Sequence, residues 1–151
     1  MAVPQFGDPE PGRAYPDRPA AFVIVERAGK IAVVRVARRN GGWRLDLPGG
    51  GLEPDEAPAQ AAVRECGEEA GLRVAVAEPF LRADHYFIND EGQSHNTRGS
   101  FFVGRLLSED PALKIEDDHT LAWMDPYEAL RTLERDSHAW AVAAWLRRIK
   151  R

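Results

Sequence analysis

Glu65, Glu68 and Glu69 stand at i, i+3 and i+4, a spacing that puts three carboxylates on one face of a helix. Like charges so placed destabilise a helix by ~0.2–0.5 kcal/mol per pair, so something must compensate. One compensation is a divalent cation, since hard ions such as Mg²⁺ take oxygen ligands. The other is a solvated acidic face laced with weak ion pairs, Arg64 reaching Glu68 and Arg73 reaching Glu69. The residues upstream favour the cation. Pro48-Gly49-Gly50-Gly51 lets the backbone approach a ligand closely. A glycine-rich turn running into a helix N-terminus also suits bound anions. A metal on one side and a polyphosphate on the other form one coherent site, because Mg²⁺ commonly binds a few carboxylates plus substrate phosphates.

The elements that must position these groups can be read from periodicity. Residues 21–25 and 31–36 are β-branched runs joined by Arg27-Ala28-Gly29-Lys30, which predicts a hairpin. Asn40-Gly41-Gly42 is a loop, and Trp43 to Leu47 is a short extended piece ending at Pro48. A helix is predicted over 55–70, with Gly71 as its left-handed C-terminal cap. Residues 73–78, 80–88, 99–107 and 121–124 read as strands, with a turn at Asn89-Asp90-Glu91-Gly92. Asp125 is a good N-cap for a helix over 126–135 that has Pro126 at its first position. A last helix, 138–150, places Val142, Trp145, Leu146 and Ile149 on one apolar stripe, a core face without chemistry. Strands and helices interleave without strict alternation, which predicts an α/β protein with a mixed sheet and helices on its faces.

The stretch Gly50 to Leu72, GGLEPDEAPAQAAVRECGEEAGL, resembles the Nudix box, G-x5-E-x7-R-E-U-x-E-E-x-G-U with U a bulky aliphatic residue. Gly50, Glu56, Arg64, Glu65, Glu68, Glu69, Gly71 and Leu72 all fall in place; Cys66 stands where Ile, Leu or Val is usual. A buried cysteine behaves as a small hydrophobe, so the departure touches packing and not chemistry. The Leu47-Pro48-Gly49-Gly50 lead-in and Trp123 ahead of an Asp-Pro helix start extend the likeness from about residue 20 to 124. The resemblance implies the Nudix fold, an α/β/α sandwich. It also implies hydrolysis of nucleoside diphosphates linked to another group, X, with Mg²⁺ or Mn²⁺ as cofactor. Carried over residue by residue, Glu65, Glu68, Glu69 and the Gly49 carbonyl are expected metal ligands. Arg64 is expected to orient a glutamate, and Glu56 to pair with Arg64 or hold a second metal through water. The general base is Glu65 or, as the rival, Glu116 in the acidic loop 115–119; His119 is a third candidate. Among substrate-binding candidates, Phe22 and Tyr86 could stack on a base and Arg35 and Arg44 could hold phosphates. Trp43, Phe101, Arg98, His85, His95 and Asn96 are weaker candidates of the same kinds.

Composition bounds the rest. With 44% hydrophobic and 29% charged residues over 151 residues, the chain has the make-up of one globular domain. One cysteine excludes an internal disulfide, and a net charge of −4 argues against a nucleic-acid partner. No apolar run approaches the ~18–20 residues that cross a bilayer, and the first nineteen residues lack a signal-peptide core, so the cytoplasm is the expected compartment. Pro4, Pro9, Pro11, Pro16 and Pro19 crowd that first segment. Residues 1–19 therefore read as a flexible arm ahead of a domain over 20–151, the alternative being an arm that packs with Phe6 or Tyr15 near a ligand. Markers of other subfamilies are missing, which leaves a MutT-like hydrolase of (deoxy)nucleoside triphosphates, oxidised ones included. An ADP-sugar or dinucleoside polyphosphate pyrophosphatase, an RNA 5′-pyrophosphohydrolase and an inactive nucleotide-binding sensor are the other readings. The box glutamates argue against the sensor. Family resemblance also makes a homodimer one expectation.

Overall fold

A computed structural model describes residues 2–149. Among them the strands are β1 (Gln5–Phe6), β2 (Asp17–Arg27), β3 (Lys30–Ala37), β4 (Trp43–Asp46), β5 (Gly49–Gly51), β6 (Leu72–Val76), β7 (Leu81–Ile88), β8 (Ser94–Glu109) and β9 (His119–Met124). The helices are α1 (Pro58–Ala70), α2 (Pro126–Thr132) and α3 (Asp136–Ile149), with a 3-10 turn at Pro111–Leu113. The sheet runs β1-β7-β8-β2-β3-β4, with β5 on β2, β6 on β8 and β9 on β3. It is mixed: β2 and β8 are parallel, as are β1 and β7, and the other pairs are antiparallel.

The layering follows from strand periodicity. Successive side chains point to opposite faces, and β2 and β3 are apolar at nearly every central position, the mark of strands covered on both sides. Ala20, Phe22 and Ile24 of β2 with Ile31 and Val33 of β3 join the core under α2 and α3. Ala21, Val23 and Val25 with Ala32, Val34 and Val36 join the core under α1, which contains Cys66. The result is the α/β/α sandwich. The β2–β3 hairpin pairs only through Glu26↔Ile31 and Arg27↔Lys30 before the strands part, and β3 goes on to pair β4 and β9.

Several boundaries differ from the sequence reading. α1 begins at Pro58 and not at Asp55, because a residue before proline is driven out of the helical region: Ala57 is extended, at φ −77° and ψ 152°. Gly71 caps the helix in the left-handed conformation, as expected, at φ 66°. α2 stops at Thr132, with Leu133 extended, so Arg135 leaves the helix and turns inward. Ile149 is 50% exposed and drops out of the apolar stripe; Lys150 lies outside the described residues. Arg73 pairs with Asp110 at 2.9 Å and not with Glu69, since the helix ends between them.

The loose tail expected for residues 1–19 also needs correction. Its last residues, from Asp17, belong to β2, which runs parallel to β8 from the pair Asp17↔Asn96 onward. Gln5 and Phe6 add a short parallel strand to β7, and the Asp84 amide donates to the Pro4 carbonyl at 2.9 Å. Phe6 packs on Trp140, ring centroids 5.7 Å apart, and Tyr15 on Tyr86 at 5.2 Å. Gly7 makes the close approach: with φ +83°, a Cβ there would sit 2.4 Å from the Tyr86 carbonyl oxygen.

Candidate active site

The glycine strand and α1 meet at the mouth of one cleft, of about 260 Å³. Backbone sterics require glycine at Gly49, and at Gly50 a side chain would displace Glu65. A Cβ at Gly49 would lie 2.2 Å from the Ala21 carbonyl oxygen, and one at Gly50 would lie 2.8 Å from the Glu65 carboxylate carbon. The strand thus lies flat on β2 and leaves Glu65 room.

Arg64 organises the acidic residues. Its Nε and Nη2 donate to the two oxygens of Glu56, each at 2.8 Å, and Nη1 donates to Glu65 and Glu68, each at 3.0 Å. Nη2 also donates to the Gly51 carbonyl at 3.1 Å, tying α1 to the glycine strand. The hydrogen bonds from Arg64 hold the Glu56 carboxyl down to about 2. Glu56 pairs with Arg64, as one of its two expected roles required.

Of the expected metal ligands, Glu65, Glu69 and Gly49 line the cleft, with Glu116 and His119 facing them. Glu68 does not: one of its oxygens is held by Arg64, and it borders a separate groove with Val63, Leu113 and Ile115. Glu69 is 6% exposed; its Oε1 accepts from the Gly49 amide at 2.9 Å and its Oε2 lies 3.0 Å from His119 Nε2. The acidic loop is pinned to α1 by the amides of Ile115 and Glu116, which donate to the Glu68 carbonyl at 3.0 and 3.1 Å. That brings Glu116 within 3.3 Å of His119 Nδ1, while Asp118 is 2.8 Å from the same nitrogen.

Burial sets the electrostatics. It raises the Glu65 carboxyl despite Arg64, and raises Glu69 to about 7 despite His119 and the Gly49 amide. Burial would depress His119, but hydrogen bonds and charges from Glu69 and Asp118 outweigh it and push the imidazole up to about 9. Glu69, Glu116 and Asp118 thus surround one imidazole, a gathering of carboxylates that calls for positive charge. Glu69, Glu116 and His119 have donor atoms within 4.8 Å of one another. Oxygen-rich donors converging on a partly buried point suit a hard divalent cation, and Glu65 and Gly49 line the same cleft.

The opposite side of the cleft was only partly legible. Phe22 lines it, stacked on Phe101 at 5.3 Å and against His138 at 4.4 Å. Arg44 lines it too, but its charge is committed to Asp46 at 3.1 Å and Asp90 at 3.0 Å. Arg35 and Tyr86 are not brought in. Arg35 lies over the Trp43 ring at 4.4 Å, and Tyr86 packs on Tyr15 because its neighbour Phe87 takes the cleft face of β7. Of the weaker candidates His95 lines the cleft. His85 is bonded to Ser137 at 2.8 Å, and Asn96 accepts from Gln5 at 2.9 Å. Arg18, Asp46, Phe87, Thr97 and Arg135 were missed. Arg18 lay in the segment read as a tail, and nothing local to Arg135 marks an inward turn.

Comparison with known proteins agrees with this geometry. The NUDIX domain profile matches residues 16–146. The chain belongs to the Nudix family. Nudix hydrolases act on pyrophosphate bonds of nucleoside diphosphate derivatives and in general use a divalent metal. The chain is 29% identical over 109 residues to the CTP pyrophosphohydrolase of Escherichia coli, covering 72% of this chain and 76% of that one. It is 29% identical over 125 residues to human diphosphoinositol polyphosphate phosphohydrolase 3-beta, covering 83% and 71%. Over 58 residues it is 47% identical to a MutT-like protein of Streptomyces ambofaciens, a match that spans 38% of this chain and 36% of that relative's length. In fold it resembles a NUDIX hydrolase from Nitrosomonas europaea, with a TM-score of 0.74 at 21% identity over 85% of this chain and 88% of that one. No helix among the described residues is long and apolar enough to cross a membrane.

Proposed function

We propose that the chain is a Mg²⁺-dependent pyrophosphohydrolase of (deoxy)nucleoside triphosphates, acting in a MutT-like manner. One observation carries the reading. Arg64 locks Glu56, Glu65 and Glu68 to the glycine strand, and Glu65, Glu69 and Glu116 face the cleft beside it. Glu65, Glu69 and the Gly49 carbonyl would hold the metal, Glu116 would join them from its loop, and Glu68 would contribute only through the oxygen that Arg64 leaves free. When bound, the metal neutralises phosphoryl oxygens and lowers the pKa of its water. The chain's own residues do the positioning. The Gly49 amide and Arg64 fix the rotamers of Glu69 and Glu65, so the carboxylates cost little to organise at the moment of reaction. Glu65, raised by burial, is the first choice to take the proton of the attacking water, with Glu116 as the rival base across the cleft.

The relative that hydrolyses CTP supports a nucleoside triphosphate, and the diphosphoinositol polyphosphate phosphohydrolases make a phosphate-rich X group the second reading. The test is a substrate panel with product identification: the eight common nucleoside triphosphates, 8-oxo-dGTP, ADP-ribose, a dinucleoside tetraphosphate and a diphosphoinositol polyphosphate. Triphosphates are expected to be turned over fastest, with Mg²⁺ and not in excess chelator. Equal turnover in chelator, or a preference for ADP-ribose, refutes the proposal.

A further inference from the structure

The cleft has two walls of opposite charge, divided by β5. Successive strand residues face opposite sides, and the glycines use both: a Cβ at Gly50 would strike the Glu65 carboxylate, while one at Gly51 would lie 2.7 Å from Nη2 of Arg18. The function proposed above answers the acidic wall with a cation and the scissile pyrophosphate. It leaves the cationic wall unanswered.

Arg18 reaches the cleft from the start of β2, and among the described residues its guanidinium has neither a hydrogen bond nor a carboxylate within ion-pair distance. Arg135 reaches it from the link between α2 and α3. It is 8% exposed, and its guanidinium lies 3.9 Å from the centre of the Phe87 ring. Its nearest carboxylate, Asp46, is 3.7 Å from Nε without a hydrogen bond, and both Nε and Asp46 Oδ1 are buried without a partner. The other oxygen of Asp46 is taken by Arg44. Arg18 and Arg44 both repel Arg135. A buried guanidinium ion-paired to Asp46 without a hydrogen bond, beside an exposed one with no carboxylate in reach, leaves donors open to an anion. Guanidinium groups are also the donors best matched to phosphate oxygens.

We infer that Arg18 and Arg135 form an anion-binding wall that takes a negatively charged group of the substrate beyond the scissile pyrophosphate. The inference rests on the cleft being a pyrophosphohydrolase site, and it narrows the substrate class. Substrates with a further phosphate, whether the third phosphate of a nucleotide or a phosphate on a polyphosphorylated X group, are selected over nucleoside diphosphates linked to a neutral sugar.

The experiment compares the full chain with R18Q, R18K and R135K in steady-state kinetics with Mg²⁺. The substrates are CTP, a diphosphoinositol polyphosphate and ADP-ribose, and inorganic tripolyphosphate serves as a competing anion. In R18Q the ratio of kcat/KM for the preferred polyphosphorylated substrate to that for ADP-ribose is expected to fall about tenfold, through KM. Tripolyphosphate inhibition is expected to weaken by a similar factor, and R18K to recover most of both. Whichever of CTP and the diphosphoinositol polyphosphate suffers the larger loss identifies the source of the extra anion. R135K is expected to act in the same direction. Arg18 is exposed and has no protein partner, so its variants decide the matter even if R135K does not fold. An unchanged ratio with unchanged tripolyphosphate inhibition overturns the inference while leaving the hydrolase reading intact. Failure of the unmodified chain to hydrolyse any member of the full substrate panel overturns both.

Discussion

Replacing Arg64 by Ala tests whether one side chain holds the acidic helix face together. Arg64 donates five hydrogen bonds: two to Glu56, one each to Glu65 and Glu68, and one to the Gly51 carbonyl. R64A leaves three carboxylates facing one another, with Glu53, 3.6 Å from the Arg64 Nε, close by. A fully buried charge-assisted hydrogen bond contributes about 1.5–3 kcal/mol. The Arg64 side chain is 21% exposed and its partners reach water, so hydration recovers much of the loss, and about 2–3 kcal/mol is expected for the whole substitution. At about 2–4 °C per kcal/mol for a chain of this size, melting should fall by roughly 5–10 °C. Turnover should fall further, on the order of 100-fold, because Glu65 is then free to rotate out of register. R64K keeps the charge but cannot bridge Glu56 and Glu65 at once, so it should regain stability more than turnover. Acid titration adds a signature. Arg64 depresses the folded-state pKa of Glu56 to about 2, so the stability this pair contributes is complete above the ordinary carboxylate range and is lost as pH falls from about 4.5 towards 2. The melting difference between the chain and R64A should narrow over that window. A variant that melts within about a degree of the parent and keeps its turnover would refute the account of Arg64 as the organising residue.

Three further outcomes are expected. G50A places a methyl 2.8 Å from the Glu65 carboxylate carbon; it should cut turnover at least tenfold with a small change in melting temperature, read by kinetics beside calorimetry. Deleting residues 1–15 removes β1, the Phe6–Trp140 contact and the Tyr15–Tyr86 contact, and should lower melting by several degrees, about 2 kcal/mol; an unchanged melt would restore the loose-tail reading. His138 is fully buried, accepts from the Leu47 amide through Nδ1 at 3.1 Å, and is held down to about 3, first by burial and then by Arg135. Its folded pKa lies below the unfolded one, so stability is complete above pH 6.5 and should fall by up to about 1.4 kcal/mol per pH unit on acidification towards 3. H138N, whose amide oxygen can replace Nδ1, should flatten that slope in denaturant titrations across pH 7 to 4.

What was legible in the sequence is what is local. Glu65 and Glu69 are separated by one helical turn, Arg64 and Glu68 by another, and Gly71 caps that same helix, so spacing alone predicts their relations. For Glu68 the spacing offered both a metal-facing role and the pair with Arg64, and in the fold the Arg64 guanidinium holds one of its oxygens while it borders a groove outside the cleft. Strand parity explains the errors on the far wall. Tyr86 and Phe87 are equally aromatic in the sequence, but a one-residue difference sends one to the arm and the other to the cleft. Which of them faces the site depends on the β7–β8 register, His85↔Thr97, and no nearby residue declares it.

The acidic wall is built from one helix, a loop pinned to its C-terminal turn, and the glycine strand, whose Gly49 amide and Gly51 carbonyl fix Glu69 and Arg64. The cationic wall is built from the first long strand and the α2–α3 link, brought together only by the complete sheet: β2 pairs β8 in parallel, and the Glu134 amide donates to the Leu45 carbonyl to fix the link. If Arg18 and Arg135 select the anion as inferred, chemistry and selectivity sit on different walls of one cleft, both hung on β2. Loss of the arm or of the β2 edge should degrade discrimination among substrates before it degrades hydrolysis, because Arg18 precedes the core of β2 whereas Glu65 and Glu69 stand on a helix packed against its middle.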